Sequence, residues 1–192
     1  MAATTKPGPK ALHFTGTPEA DELIAQDPLA LLIGFALDQQ ITVQQAFLGP
    51  LRMKQRLGTL DAGAIAATDP ARLDAVFRER PAIHRFPGNM ARRVQELCAF
   101  VAERYDGRAE RLWTQAASSD DLKRRIGELP GFGEMKVNAL GSVLAKRFGV
   151  SAAEGLVPSH PTLGDVDSDE ALEHYQAQKR AHKAEMRARQ SA

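Results

Sequence analysis

A chain of 192 residues holds one domain, or two small lobes around a shared core. Hydrophobic residues make up 43% and charged residues 26%, and the net charge of +1 excludes a polycation, so any nucleic-acid surface has to come from local clustering of Arg and Lys. The single cysteine, Cys98, excludes an internal disulfide and a four-cysteine iron–sulfur cluster.

Residues 1–12 are rich in Pro and Gly and read as a flexible tail. Thr17-Pro18 starts a helix that runs to about Gln26, because Thr caps and Pro suits the first turn. Asp27-Pro28 repeats the signal, and the run from Leu29 to Leu37 is apolar nearly all round, which predicts a central, buried helix. Asp38-Gln39-Gln40-Ile41-Thr42-Val43 breaks that pattern. A helix from about Val43 to Leu57 follows, with a bend at Pro50 and with Arg52, Lys54 and Arg56 on its polar side. A short helix spans Asp61 to Ala67, and Asp69-Pro70 opens another that reaches about Arg80. After the loop 81–88 a long helix runs from Asn89 to about Tyr105, where Asp106-Gly107 ends it. Its apolar stripe contains Cys98, which reads as a core thiol. A short helix with Trp113 covers Arg108 to Ala116.

Ser118-Ser119-Asp120-Asp121 reads as a capping box for a helix carrying Leu122 and Ile126. Pro130 ends that helix, and Gly131 and Gly133 let the chain turn sharply. Val137, Leu140, Gly141, Leu144 and Phe148 then share one face of a second helix. Free N–H groups at such a turn form an anion site without any side chain, and a duplex phosphate is its natural ligand. Glu134 suits the helix dipole there but repels a phosphate. Residues 151–164 read as loop. From residue 166 to the end the chain is strongly charged, with Leu172, Tyr175 and Met186 as apolar anchors. It reads as a helix that packs at its start and frays at its end, its basic residues forming a solvated face or an arm on DNA. No stretch alternates with period two, so the fold class is all-α with nine or ten helices. Five scattered histidines show no ligand spacing, so no metal site built from side chains is expected. No apolar run spans a bilayer and no signal core opens the chain, which points to a cytoplasmic protein without membrane contact.

Leu129-Pro130-Gly131-Phe132-Gly133 between two amphipathic helices resembles the hairpin of the helix–hairpin–helix DNA glycosylases of base excision repair, the family of endonuclease III, the adenine glycosylase and the 8-oxoguanine glycosylases. The resemblance implies the two-lobed all-α glycosylase fold over residues 13–165, with the hairpin at about 119–148. It implies double-stranded DNA in the cleft between lobes, a monomer, association with the nucleoid when bound, and no organic or redox cofactor. A sodium or potassium ion at the hairpin carbonyls also fits it. Gly131, Phe132, Gly133 and Lys136 would meet the backbone phosphate.

Two further segments are similar to this family. Asp38–Val43 looks like its Gln-containing segment, with Gln40 the positional match for the side chain that fills the duplex where a nucleotide is turned out; the alternative is a polar cap and turn. Arg85-Phe86-Pro87-Gly88-Asn89-Met90-Ala91-Arg92 is similar to its loop and following helix. There Phe86 would wedge between bases, or be simply buried, and Arg85, Arg92 and Arg93 would meet phosphates.

The chemistry departs from the family's pattern. Bifunctional members carry a lysine two residues after the second hairpin glycine; here that position is Met135, and Lys136 comes one residue later, about 100° round the helix. Lys136 either substitutes as the amine nucleophile or contacts a phosphate. The family's carboxylate beside the sugar falls by spacing near Ala153. Asp165, after an apparent insertion, is the first candidate and Asp167 the second, with a helix cap as the alternative for Asp167; the remaining reading is that no such carboxylate exists. The expected function is therefore a base excision repair glycosylase without clear lyase activity. The alternatives are a catalytically inactive DNA-binding scaffold or damage sensor of the same fold, or a helical protein-interaction module.

Overall fold

A computed structural model describes residues 8–190. Among these residues every regular element is helical, as the absence of period-two alternation requires. The first six α-helices are α1 (Pro18–Gln26), α2 (Pro28–Leu37), α3 (Val43–Leu57), α4 (Ala62–Ala66), α5 (Pro70–Arg78) and α6 (Pro87–Tyr105). They are followed by α7 (Arg111–Thr114), α8 (Ser119–Gly127), α9 (Glu134–Lys146) and α10 (Asp169–Gln190), with 3-10 helices at Ser151–Leu156 and Leu163–Asp165 between α9 and α10. None of these helices is long and apolar enough to cross a membrane.

The start signals work as their chemistry requires. Asp27 accepts from the N–H groups of Leu29 and Ala30, Thr42 from Gln45, Asp61 from Ala64 and Ser118 from Asp121. At α8 the reciprocal bond of the capping box goes one residue further back, from the Ala117 N–H to the Asp121 carboxylate at 3.0 Å. The long helix starts at Pro87 rather than Asn89, with Pro in its first turn. Residues 151–164, read as loop, instead include the 3-10 helix Ser151–Leu156 and the start of the second, Leu163–Asp165, which pack on α8 and α9.

α2 is buried along its whole length, from Leu29 to Leu37, and is the axis of the molecule. It packs against α1, α3 and α6. Its contact with α3 is close: a Cβ on Gly34 would lie 2.3 Å from the Phe47 ring. α4 and α5 pack on α6, while α8, α9 and the two 3-10 helices form a second group. Buried side chains of both groups belong to one continuous core.

The chain ends differ from the tail-like reading. Residues 1–7 of the expected tail lie outside the described residues, but Leu12 and Phe14 are fully buried. Asp21 holds both: its backbone O accepts from the Leu12 N–H at 3.0 Å, and its buried carboxylate accepts from the N–H groups of Phe14 and Thr15 and from the Thr15 hydroxyl. At the other end α10 packs through Leu172 and Tyr175, and it is exposed from Ala177 to Arg189.

Candidate functional site

Three segments far apart in sequence meet on one face: the α2–α3 junction, the start of α6 and the α8–α9 turn. Arg93 joins them. Its guanidinium donates to Gln39 Oε1 at 2.5 Å, and its side chain crosses the turn at Gly131, where a Cβ would lie 2.8 Å from Arg93 Cδ. Gly131 also has φ +81°, so this position excludes a side chain twice over. His84 makes the second link. Its Nε2–H donates to Gln39 O at 2.9 Å while its Nδ1 accepts from the Phe86 N–H at 3.0 Å. Those two bonds select the neutral imidazole, and burial lowers its pKa, so the clamp is uncharged near neutrality. Arg56 steadies the same loop from α3 by donating to Val76 O and Pro81 O, both at 2.8 Å.

At the turn itself α9 starts from Gly133, which has no side chain to cap the helix; the first helical bond runs from the Val137 N–H to Gly133 O. The N–H groups of Glu134, Met135 and Lys136 therefore form an open, electropositive helix end. Phe132 contributes less than its place in the motif suggests. Its ring is only 5% exposed and its N–H is spent on Leu129 O. Glu134 is exposed and Met135 is 84% exposed.

The segments that Arg93 links to this turn carry side chains suited to a polyanion. Arg85 and Arg92 are exposed, and the Arg85 guanidinium sits 4.9 Å from the centroid of Phe86. Phe86 is 39% exposed at the start of α6, not buried. Gln40 is exposed and has φ 58°, a left-handed conformation that costs a side-chain-bearing residue about 1 kcal/mol.

The candidates for chemistry separate. Lys136 turns inward, donating to Ala36 O at 3.1 Å and lying 5.7 Å from the Phe132 ring centroid. Burial lowers its pKa to about 8, against the opposing field of Asp38. That orientation takes its amine off the outer surface, where a phosphate contact would need it. Asp165 lies at the other end of α9. One of its oxygens accepts from Lys146 Nζ at 2.5 Å, and the other accepts from the Thr162 N–H at 2.8 Å in a capping box. Lys146 is ten residues beyond Lys136, about 15 Å of helix rise. Asp167 is exposed, and its side chain makes no hydrogen bond with any described residue. Cys98 is buried, with its thiol pushed up to about 12, and is inert as a nucleophile.

Asp38 opens the polar break and Gln-containing segment Asp38–Val43, where the sequence assigns it no role of its own, and the structure gives it more weight. It caps the C-terminus of α2, where its N–H donates to Gly34 O and Phe35 O. Its carboxylate is half-buried, its pKa raised by desolvation and pulled back by Lys179 and Lys136. The start of α10 covers this corner: Gln44 and Gln176 exchange two side-chain hydrogen bonds, at 3.2 and 2.5 Å, and the pKa of Tyr175 is raised by burial and by Asp38 and Asp165. The signal for Asp38 was in the sequence, since it is the first charge after nine buried residues. His84 carried no such signal.

The fold and this face define an all-α protein with a glycine-turned hairpin beside the arginines of the α6 start at its candidate site. Compared with family models, curated protein sequences and solved structures, the chain matches none.

Proposed function

We propose that the chain is a base excision repair protein, a two-lobed helix–hairpin–helix DNA glycosylase. It grips duplex DNA on the Arg93 face, extrudes a damaged or mispaired base, and hydrolyses its N-glycosidic bond. The observation that carries this reading is the meeting of the three segments around Gln39, Arg93 and Gly131. Each supplies a part that extrusion needs. The open end of α9 suits one phosphate, and Arg85 and Arg92 suit its neighbours. Phe86 is an exposed apolar wedge, and Gln40 is a projecting polar side chain on a rigid loop. A sodium or potassium ion at the hairpin fits the second lone pair of Leu129 O, which accepts one N–H, from Phe132.

A second reading keeps the DNA contact without catalysis, as a scaffold or damage sensor. Two observations favour it: Met135 stands outward at the position of the family's lysine, and both oxygens of Asp165 are engaged.

The test is duplex binding by fluorescence anisotropy across a salt series, followed by abasic-site formation on duplexes bearing uracil, 8-oxoguanine, alkylated purines and oxidised pyrimidines. Arg85→Ala and Arg92→Ala should each weaken binding at all sequences and reduce the salt slope by about 1. Unchanged affinity and slope in both would remove this face from the interface. Binding without base release on the whole panel would select the sensor.

A further inference from the structure

The root of α10 packs on the body. Leu172 is 3% exposed, and Gln176 exchanges two hydrogen bonds with Gln44 in the first turn of α3. From Ala177 to Arg189 the helix is exposed on every side. It therefore leaves the body at the α2–α3 junction, with its last tie only four residues beyond Gln40 on the candidate face. This exposed part carries Lys179, Arg180, Lys183, Arg187 and Arg189 against the single carboxylate of Glu185. The whole chain has a net charge of +1, so the rest of it is net negative. A polyanion is repelled by that remainder at long range and drawn to the exposed part of α10.

The cations are also arranged. An α-helix turns about 100° per residue, so residues seven apart lie within about 20° of each other. Lys179 stands seven residues beyond the buried Leu172, and Lys183 seven beyond Gln176. Arg180, four residues beyond Gln176, is about 40° from it. No Pro or Gly interrupts α10, so the direction is kept. The face that the helix turns to the body at its root thus becomes, further out, a stripe of Lys179, Arg180 and Lys183. Glu185 lies about 160° round from Lys183, off the stripe. None of the three forms an ion pair with any described residue, and the Lys179 ammonium lies 5.9 Å from the Tyr175 ring centroid. A helix built only for water would set Glu four residues from these lysines. Instead Lys179 and Lys183 stand as like charges at that spacing, which opposes the helix until an anion covers them. A lipid surface suits the helix poorly, because an interfacial helix needs a broad apolar face and the large apolar side chain exposed among the described residues of α10 is Met186.

We infer that the exposed part of α10 is a second DNA-binding element, a basic arm whose Lys179, Arg180 and Lys183 meet the phosphates of the duplex beside the point of extrusion. The inference rests on the duplex-DNA reading above and adds to it a segment outside the three that Arg93 joins. From Gln176 to Lys183 the helix rises about 10 Å, which extends the footprint on one side by up to about three base pairs. The arm reads charge and no base edge, so it supplies affinity and retention rather than the choice of lesion.

The test uses the full chain and fluorescence anisotropy on an undamaged duplex of several helical turns, across a salt series. Lys179→Gln/Arg180→Gln/Lys183→Gln removes the charge and keeps strong helix formers. It should weaken binding by about tenfold or more at low salt and reduce the salt slope by about 2–3. Lys179→Arg/Lys183→Arg keeps the charge and should bind as the wild type does. Arg189→Gln, about 120° round from Lys183, is the control and should leave the slope unchanged. A second measurement is positional. Cys98 is buried, so a cysteine placed on α10 takes a photo-crosslinker alone. Lys183→Cys carrying the crosslinker should capture bound duplex several-fold more than Ala181→Cys, which lies about 160° away on the opposite face.

Wild-type affinity and slope in the triple variant, with Arg85→Ala and Arg92→Ala still weakening binding, would overturn the arm and leave the Arg93 face in place. A fall in slope of about 1 in Arg189→Gln would reduce the stripe to diffuse charge, and equal capture from the two cysteine positions would do the same. Binding to phosphatidylserine vesicles that is lost in the triple variant, with duplex binding unchanged, would assign the stripe to a membrane surface instead. A wild type that binds no duplex at low salt rejects the proposed function itself.

Discussion

Substituting Gly131 by Ala tests how the hairpin is joined to the rest of the face. The residue has φ +81°, where an L side chain costs about 1–2 kcal/mol. Its new Cβ would also lie 2.8 Å from Arg93 Cδ, closer than such atoms approach, and 3.0 Å from Arg93 Nε, a tight contact. Arg93 is flexible enough to move, but moving it gives up the bond to Gln39 Oε1, a charge-assisted contact worth about 1 kcal/mol at a partly exposed site. The expected total is about 2–3 kcal/mol, or roughly 5–10 °C in melting temperature for a chain of this size. Urea denaturation of Gly131→Ala, Arg93→Ala and the double variant separates the two parts. In the Arg93→Ala background only the backbone cost should remain. Gly133→Ala is the internal control: with φ −83° and no atom within 4 Å of a new Cβ, it should cost less than about 1 kcal/mol, the preference for Gly over Ala at a helix cap. If Gly131→Ala costs the same with and without Arg93, the guanidinium does not lie across the turn, and the unity of the site is lost.

Two other outcomes follow from the same corner of the molecule. His84 has a folded pKa below its unfolded value of about 6.5, so the unfolded chain binds more protons once the pH drops below that value. Stability is therefore fully present above about pH 6.5 and is lost as the pH falls toward the folded pKa; His84→Ala should be less stable at pH 7 but show a shallower decline to pH 5, and equal slopes would refute the neutral clamp. The Gln44–Gln176 pair ties α10 to α3 through two side-chain hydrogen bonds, so Gln44→Ala should lower the melting temperature by a few degrees, whereas an unchanged melting temperature would mean that the pair does not hold α10 in place.

Local chemistry made most of the helices legible. Asp27-Pro28, Thr42, Asp61 and Ser118 each announce a helix start through a group that must satisfy free N–H donors. The uniformly apolar run Leu29–Leu37 announced the central helix, because no other environment tolerates it. What the sequence hid was long-range. The docking of Leu12 and Phe14 depends on Asp21, whose backbone O accepts from the Leu12 N–H and whose carboxylate accepts from the Phe14 and Thr15 N–H groups, a pairing that no periodicity reports. The commitment of Asp165 to Lys146 depends on the winding of residues 151–165 on α9. The inward turn of Lys136 depends on an acceptor a hundred residues earlier. The motif marked the right neighbourhood, but side-chain direction within it came only from packing.

Gln40 shows why the rigidity of that neighbourhood matters. On one side of it, Gln39 is fixed at three points: its N–H donates to Leu37 O at 2.7 Å, its O accepts from His84 at 2.9 Å, and its Oε1 accepts from Arg93 at 2.5 Å. On the other side, Thr42 is fixed as the cap of α3. With both flanks held, the intervening chain has little freedom, and Gln40 is forced into the left-handed region at φ 58°. Gln40→Gly relieves that strain and should raise stability by about 1 kcal/mol, roughly 2–4 °C. A loop selected for stability alone would carry glycine here, so the side chain has to contribute elsewhere. Under the proposed function that contribution is to the extruded state, and Gln40→Gly should shorten the lifetime of the lesion complex, measured by competition dissociation, while the melting temperature rises. A variant that is less stable would refute the strain, and one that is more stable with an unchanged complex lifetime would refute the role.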